Sequence, residues 1–336
     1  MTSILLTGGG TAGHVMPFIA LLPELGKNFD RILYAGAENS LEERLAKRYS
    51  IPFYGVTVVK FVRGKILPNF KIPRLLSRGV SEAEELLKRL KPDLVFSKGG
   101  YVGLPVTLAA KKTGIPFVIH ESDMSLGLAN RLVRRHAAAI YTAFPPTAKK
   151  YGGECVGIPL REELFRAKYD GKKPRPVLLF TGGSLGAKAL NDCVFSKIDE
   201  LTESYDVIHL TGKGKSREIK NPHYESVEYT DDIAGLFAKS DVVISRAGAN
   251  TAFELTALNK RIIFVPLTHG SRGDQIQNAE YFSGLGAKVI REEKLSSDLM
   301  SAISELLSSP PPDYGTRYNN ADFARKLLRV AKSGGH

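Results

Sequence analysis

Short apolar runs alternate with longer segments of mixed polarity along this chain. Residues 3–7, 31–35, 94–97, 117–120 and 139–142 form compact apolar runs that read as strands. Between them, 82–90 and 106–112 read as helices. Strand–helix alternation of this kind predicts parallel β/α units. The pattern then restarts. Pro174-Arg175-Pro176 precedes a strand at 177–181, a glycine turn at 182–186 and a helix at 187–194. Strands at 206–210, 242–245 and 262–266 follow.

Two strand–glycine loop–helix openings, about half a chain apart, predict an α/β protein of two Rossmann-like domains. The expected domains are 1–157 and 158–314, joined through 157–176, which is rich in charge, Gly and Pro. Pro310-Pro311-Pro312 leads to a last amphipathic helix at about 320–331. That helix could pack on either domain; the segment from about 315 to 336 could return to the first.

The chain has 336 residues, 43% hydrophobic and 24% charged, which suits a soluble globular protein of more than one domain. The net charge of +12 favours an anionic partner: nucleic acid, a phosphorylated substrate or an acidic membrane face. Two cysteines, Cys155 and Cys193, give neither a disulfide framework nor metal spacing and fit a reducing cytoplasm. The first residues lack the basic region of a signal peptide, and no run approaches the roughly 20 apolar residues of a membrane span.

The candidate chemistry lies in the turns. In LLTGGGTAGHVMP, Gly8, Gly10 and Gly13 fit the dinucleotide fingerprint G-x-G-x-x-G. A glycine loop before a helix lets backbone N–H groups reach an anion, and the helix terminus adds favourable partial charge. The loops at 8–13 and 182–186 both fit, and a third cluster, Gly99-Gly100-Tyr101-Val102-Gly103, follows the strand at 94–97. A nicotinamide site needs an acidic residue about 20 positions on; Glu38 comes late for that and explains neither His14 nor the second loop. His14 suits a general base near neutral pH, and it equally suits a histidine that caps a helix.

Glu254, in RAGANTAFE, could accept both hydroxyls of a ribose or could simply answer a helix dipole. Asp274, Gln275 and Asn278 follow a loop with His269, Gly270, Ser271 and Arg272; they suit sugar hydroxyls or a solvated helix start. His120-Glu121-Ser122-Asp123 lacks the two-histidine spacing of a zinc helix, and no Asp-x-Asp occurs, so no metal is expected. Ser184 stands in GGSLG rather than G-x-S-x-G, which argues against a hydrolase.

Taken together, GGGTAGHVMP, FSKGGYVGLP, HESDMSLGLANR, GIPLRE, TGGSLGAKALN, HLTGKG, YTDDIAGLFAKSDVVISRAGANTAFE and SRGDQIQNA follow one order and spacing. Over nearly the whole chain this resembles the MurG family, the UDP-N-acetylglucosamine transferases of peptidoglycan synthesis, in its low-GC Gram-positive form. The resemblance implies a GT-B fold, two Rossmann-like domains facing across a cleft. It implies inverting transfer of GlcNAc from UDP-GlcNAc to the MurNAc 4-hydroxyl of lipid I, giving lipid II and UDP, with no cofactor and no nucleic acid.

By the same resemblance His14 is the base. Thr11, Ala12, Gly13, Arg161, Ser184, Thr230, Ala249, Asn250, Thr251, Glu254 and Gln275 serve the nucleotide sugar. Within that set Arg161 and Ser184 meet the diphosphate, Thr230 the uracil, Glu254 the ribose and Gln275 the sugar. Gly99, Gly100, Tyr101, Glu121 and Asp123 serve the acceptor, with Asp123 standing where the family often has asparagine. The rivals are another GT-B enzyme, such as a UDP-GlcNAc 2-epimerase or a transferase with a different lipid acceptor, and a basic module that binds without releasing UDP.

Between residues 44 and 81 there are nine Lys or Arg and no acidic residue. Lys65, Phe70, Lys71, Arg74, Leu75 and Arg78 make up its candidate contact with an anionic inner leaflet. That places the protein peripherally on the cytoplasmic face of the cell membrane. Pro68 and Pro73 predict a loop followed by a short helix there.

Overall fold

The computed structural model describes residues 1–60, 71–183, 185–268, 273–316 and 318–334. Ser184, Lys65, Phe70 and the loop 269–272 lie outside the described residues.

The chain runs β1 (Ser3–Thr7), α1 (Ala12–Asn28), β2 (Arg31–Gly36), α2 (Leu41–Arg48), β3 (Phe53–Gly55), α3 (Ile72–Leu90) and β4 (Leu94–Ser97). It continues through α4 (Gly100–Thr113), β5 (Phe117–Glu121), α5 (Leu128–Val133), β6 (Ala139–Thr142), α6 (Pro145–Tyr151) and β7 (Glu154–Cys155). The second set is α7 (Glu163–Arg166), β8 (Val177–Thr181), α8 (Lys188–Ser196), α9 (Ile198–Ser204), β9 (Asp206–Leu210), β10 (Tyr224–Val227) and α10 (Ile233–Lys239). It ends with β11 (Val242–Ser245), α11 (Ala249–Ala257), β12 (Arg261–Phe264), α12 (Asp274–Ser283), β13 (Lys288–Val289), α13 (Leu295–Ser308) and α14 (Asn320–Ser333).

Two compact units result: Met1–Leu160 with Tyr318–His336, and Arg161–Arg317. The first carries a parallel sheet in the order β3-β2-β1-β4-β5-β6-β7, the second a parallel sheet in the order β10-β9-β8-β11-β12-β13. Both are α/β sheets wound outward from their first strand. Strand order therefore reverses between β1 and β4 in one unit and between β8 and β11 in the other. Outside the carboxyl ends of such a pair the following loops diverge and leave a crevice for a ligand.

Helices cover both faces of the first sheet, which explains its unbroken apolar strands. On one face Phe18, Leu21 and Leu25 of α1 pack with Phe323 and Leu327 of α14. On the other, Val80, Ala83 and Leu87 of α3 pack with Val106 and Ala110 of α4. In the second unit Leu178, Phe180, Ile244 and Ile263 pack against Leu190, Val194, Leu299 and Ile303. Buried Asn320 anchors the return of the chain to the first unit. Its amide donates to Ala20 O at 3.0 Å and Leu160 O at 2.8 Å, and its carbonyl accepts from the Leu160 N–H.

The stretch 157–176 is not one linker. Ile158 and Leu160 are buried in the first unit, while Leu164 of α7 is buried in the second, where α7 packs on α10. Its charge and glycine content marks exposed turns rather than a free tether. The helix expected at 82–90 begins at Ile72, because Pro73 occupies its first turn, where proline costs no hydrogen bond. The expectation of a short helix is corrected accordingly: α3 runs 19 residues, while the loop expected before it falls on 61–70, outside the described residues.

Candidate functional site

In the second unit a cavity of about 690 Å³ opens at the carboxyl ends of β8 and β11, the reversal point of that sheet. Gly182, Gly183 and Gly186 form one wall, and Gly248, Thr251, Leu267 and Gln275 another. The glycine loop tolerates no side chains at two of its positions. A Cβ on Gly182 would lie 2.1 Å from the Ala187 nitrogen, and one on Gly186, whose φ is +67°, would lie 1.9 Å from the Thr211 carbonyl oxygen. The helices α8 and α11 begin at this cavity without a side-chain cap, so their first N–H groups suit an anion.

Thr251 and Glu254 stand three residues apart on one face of α11. The Glu254 carboxylate lies 3.6 Å from the Arg161 guanidinium, with 18% of its side chain exposed. Desolvation pushes its pKa up to about 7, against the opposing pull of Arg161. Gln275 is fixed by its side-chain carbonyl, which accepts the Leu267 N–H at 3.0 Å. Asn278 is buried and donates to Ala247 O at 3.1 Å, so it ties α12 to the turn before α11. Asp274 is also buried, Ala249 is buried, and Asn250 is half-buried in the first turn of α11. Thr230 stands apart from the cavity wall. Its hydroxyl accepts the Asp232 N–H at 2.9 Å at the start of α10.

Two features of this site had no role in the sequence reading. Arg246 and Glu292 form an ion pair on the cavity wall, and Arg246 also donates to Val265 O at 3.0 Å. Arg246 opens the RAGANTAFE stretch, which was the available signal. Beneath the glycine loop, buried His209 joins Tyr224 and Asn191 at 3.0 Å each, and Asn191 donates to the Thr211 carbonyl that Gly186 packs on. Burial lowers the His209 pKa to about 4, so the ring stays neutral and fixes the loop by hydrogen bonding alone.

In the first unit two turns converge at the carboxyl ends of β1 and β4. Thr11, Ala12 and Gly13 form the turn into α1, and the His14 Nδ1 lies 2.9 Å from the Thr11 hydroxyl. The other ring nitrogen faces Gly100: a Cβ there would be 3.6 Å from Nε2. Gly99 and Gly100 have φ of +74° and +72° at the start of α4. The Tyr101 ring lies against Gly10, where a Cβ would be 2.5 Å from the ring. In this unit the sequence offers no sign of a role for Glu42 of α2. It is fully buried under the first glycine loop and accepts the Gly10 and Ala37 N–H groups at 3.3 and 3.4 Å. Nothing in the polar, mixed sequence of α2 marks that carboxylate as buried.

The His120–Asp123 stretch is occupied internally. His120 contacts Gly157 O and Lys98 rather than standing open as a metal ligand. The buried Glu121 carboxylate accepts the N–H groups of Ser122, Asp123 and Gly127 and the Asn130 amide, and it organises the turn after β5. Asp123 is half-buried in that turn.

Two family models match. The Glycosyltransferase family 28 N-terminal domain matches residues 4–142, and the C-terminal domain of the same family matches residues 177–329. The chain is 44% identical over 322 residues to the UDP-N-acetylglucosamine--N-acetylmuramyl-(pentapeptide) pyrophosphoryl-undecaprenol N-acetylglucosamine transferase of Lachnospira eligens, covering 91% of each chain. It is 43% identical over 323 residues to the protein of the same name from Legionella pneumophila, covering 91% of this chain and 89% of that one. Among solved structures it is similar in fold to the MurG of Acinetobacter baumannii, with a TM-score of 0.75, 24% identity, and 99% of this chain and 100% of that one covered.

Proposed function

The chain belongs to glycosyltransferase family 28, and on that premise we propose that it carries GlcNAc from UDP-GlcNAc to the MurNAc 4-hydroxyl of lipid I. The products are lipid II and UDP, in peptidoglycan synthesis. The observation that carries this reading is the identity of over 40% that spans nine-tenths of both chains, and so both loop systems, in relatives of that one name.

The residues suit a single displacement with inversion. In the first unit His14, with its Nδ1–H donating a hydrogen bond to the Thr11 hydroxyl, takes the proton of the acceptor hydroxyl at Nε2. The freed oxygen bonds to C1 of the sugar while the bond from C1 to the diphosphate oxygen breaks, and the electron pair leaves with UDP. In the second unit the glycine loop and the starts of α8 and α11 stabilise the departing diphosphate, with Arg161 as a further donor. Glu254 accepts the ribose hydroxyls, Gln275 and the Ala249–Thr251 turn meet the sugar nucleotide, and Thr230 lies beside the uracil. Gly99, Gly100, Tyr101, Glu121 and Asp123 shape the acceptor side.

The test is UDP release from UDP-GlcNAc with and without lipid I. Release that requires lipid I upholds the reading. Release or isomerisation of UDP-GlcNAc without acceptor would favour an epimerase, and binding without release a non-enzymatic module.

Peripheral attachment to the inner leaflet belongs to this reading, because lipid I is anchored there. No helix among the described residues is long and apolar enough to cross a membrane. Lys71, Arg74 and Arg78 are exposed on α3 and Leu75 is half-buried, whereas Leu76 packs against the core. Leu128 and Leu132 of α5 are 56% and 58% exposed, one turn apart beside Arg131. Their helix packs on α4, as α4 does on α3. Each basic residue near an anionic surface is worth about 1 kcal/mol. Changing Lys65, Lys71, Arg74 and Arg78 to Glu is therefore expected to weaken sedimentation with anionic vesicles about a thousandfold. Transfer to membrane-embedded lipid I falls with it, and transfer to a short-chain soluble acceptor persists. Equal losses on both acceptors would place these residues at the active site instead.

A further inference from the structure

The first unit buries a lysine that the reaction above does not use. Lys98, next to Gly99 at the end of β4, is 2% exposed. Its ammonium lies 2.5 Å from His120 Nδ1 and 2.6 Å from the Ser122 hydroxyl. His120 cannot share the charge. Its Nε2–H donates to Gly157 O at 2.8 Å, and burial together with Lys98 holds its pKa well below the ordinary value. The ring is neutral and accepts from Lys98.

Two carboxylates answer this buried cation. Glu121 is 7% exposed, and Asp123 stands two residues further along the same turn. The fields of both favour the charged form of Lys98 against the desolvation that lowers its pKa to about 7. The two carboxylates also oppose each other: Asp123 helps raise the pKa of Glu121. Without the ammonium, two like charges would share one turn, with Glu121 buried and Asp123 half-buried. That turn borders the loops assigned to the acceptor, whose diphosphate is itself anionic.

Resting on the reaction proposed above, we infer that Lys98 is a positioning residue for the acceptor. Its ammonium, fixed on His120 and Ser122, offsets Asp123 and so lets an aspartate stand beside a site that must admit a diphosphate. The two positions act as one unit. A neutral residue at 98 is compatible with a neutral residue at 123, whereas Lys98→Met alone leaves Glu121 and Asp123 opposed with no cation to answer them. Lys98 touches no reacting atom; it acts through the shape and net charge of the 121–127 turn.

The test is a double-mutant cycle in the full-length enzyme: wild type, Lys98→Met, Asp123→Asn and the double variant. Each is assayed for kcat and KM with a short-chain soluble lipid I, for UDP affinity by calorimetry and for its urea unfolding midpoint. Lys98→Met is expected to raise the acceptor KM at least 30-fold, with a smaller change in kcat and UDP affinity held within twofold. Adding Asp123→Asn is expected to recover at least tenfold of that loss. A double variant as impaired as the product of the two single losses overturns the inference, as does a Lys98→Met KM within threefold of wild type. Should wild type itself fail to transfer to lipid I, the proposed reaction falls, and the unfolding midpoints decide the pairing. Relief of the Lys98→Met destabilisation by Asp123→Asn upholds it, and additivity overturns it. A Lys98→Met chain that folds only when Asp123→Asn is added is the same coupling in its strongest form, and failure of both to fold overturns it.

Discussion

Replacing His14 with alanine is expected to lower kcat by about 10²- to 10⁴-fold, the span of general-base catalysis. The corresponding loss of about 3–5 kcal/mol in transition-state stabilisation leaves a measurable residue. That residue comes from the diphosphate site, which the substitution does not touch. UDP affinity is expected to stay within twofold, because the glycine loop and the starts of α8 and α11 that suit the diphosphate belong to the second unit. The geometry makes a graded version possible. The Thr11 hydroxyl 2.9 Å from Nδ1 selects the ring orientation that turns Nε2 toward Gly100. Thr11→Val removes that partner and keeps the imidazole, so a loss of about tenfold is expected, smaller than for alanine at 14. Measured kcat near the wild-type value in the His14→Ala enzyme would remove His14 from the mechanism.

The central strands were legible in the sequence because both faces of each sheet are covered. Ser3–Thr7, Leu94–Ser97, Val177–Thr181, Asp206–Leu210 and Val242–Ser245 are mainly apolar runs, and their observed bounds match the runs. The edge strands β3, β7, β10 and β13 have two to four residues each and are partly exposed, so no run betrays them. The start of α3 was hidden by Pro73, which reads as a breaker until its place in the first turn is known.

At the candidate sites, local chemistry was legible and remote chemistry was not. Gly8–Gly13 and Gly182–Gly186 announce themselves by composition. Gln275 and Thr251 were picked out by the family resemblance, and the fold sets them on one cavity wall. Glu42 supports a loop 32 residues before it, and His209 supports one through Asn191, 18 residues before it. Such partners are joined only by the parallel sheet, and no spacing rule connects them. Lys98 stands within FSKGG, and nothing in the sequence of a strand end distinguishes a solvated lysine from a buried one.

Replacing Glu254 with alanine is expected to weaken UDP and UDP-GlcNAc alike, by about 10²- to 10⁴-fold in Kd. Two charge-assisted hydrogen bonds to ribose, at about 1.5–3 kcal/mol each, set that range. A pH dependence follows with a definite sign. Desolvation holds the Glu254 pKa at about 7 in the unliganded protein, so below that pH the carboxyl keeps its proton. The ribose hydroxyls donate to the carboxylate, so binding must displace the proton at low pH and need not at high pH. Wild-type UDP affinity is therefore expected to level off above about pH 8 and to fall by up to about tenfold per pH unit below 7. The titration of the UDP phosphate overlaps this range, so the informative quantity is a ratio. Kd of Glu254→Gln over Kd of wild type cancels the ligand's own ionisation. It is expected to be largest above pH 8 and to shrink steadily below 7. Calorimetry at pH 7 in buffers of different ionisation enthalpy should also detect a larger proton release on binding to the wild type than to Glu254→Gln, the difference being the Glu254 proton. A ratio that stays flat from pH 6 to 8.5, with both proteins folded, would show that the carboxylate does not hold the ribose, and its pairing with Arg161 would then be only structural.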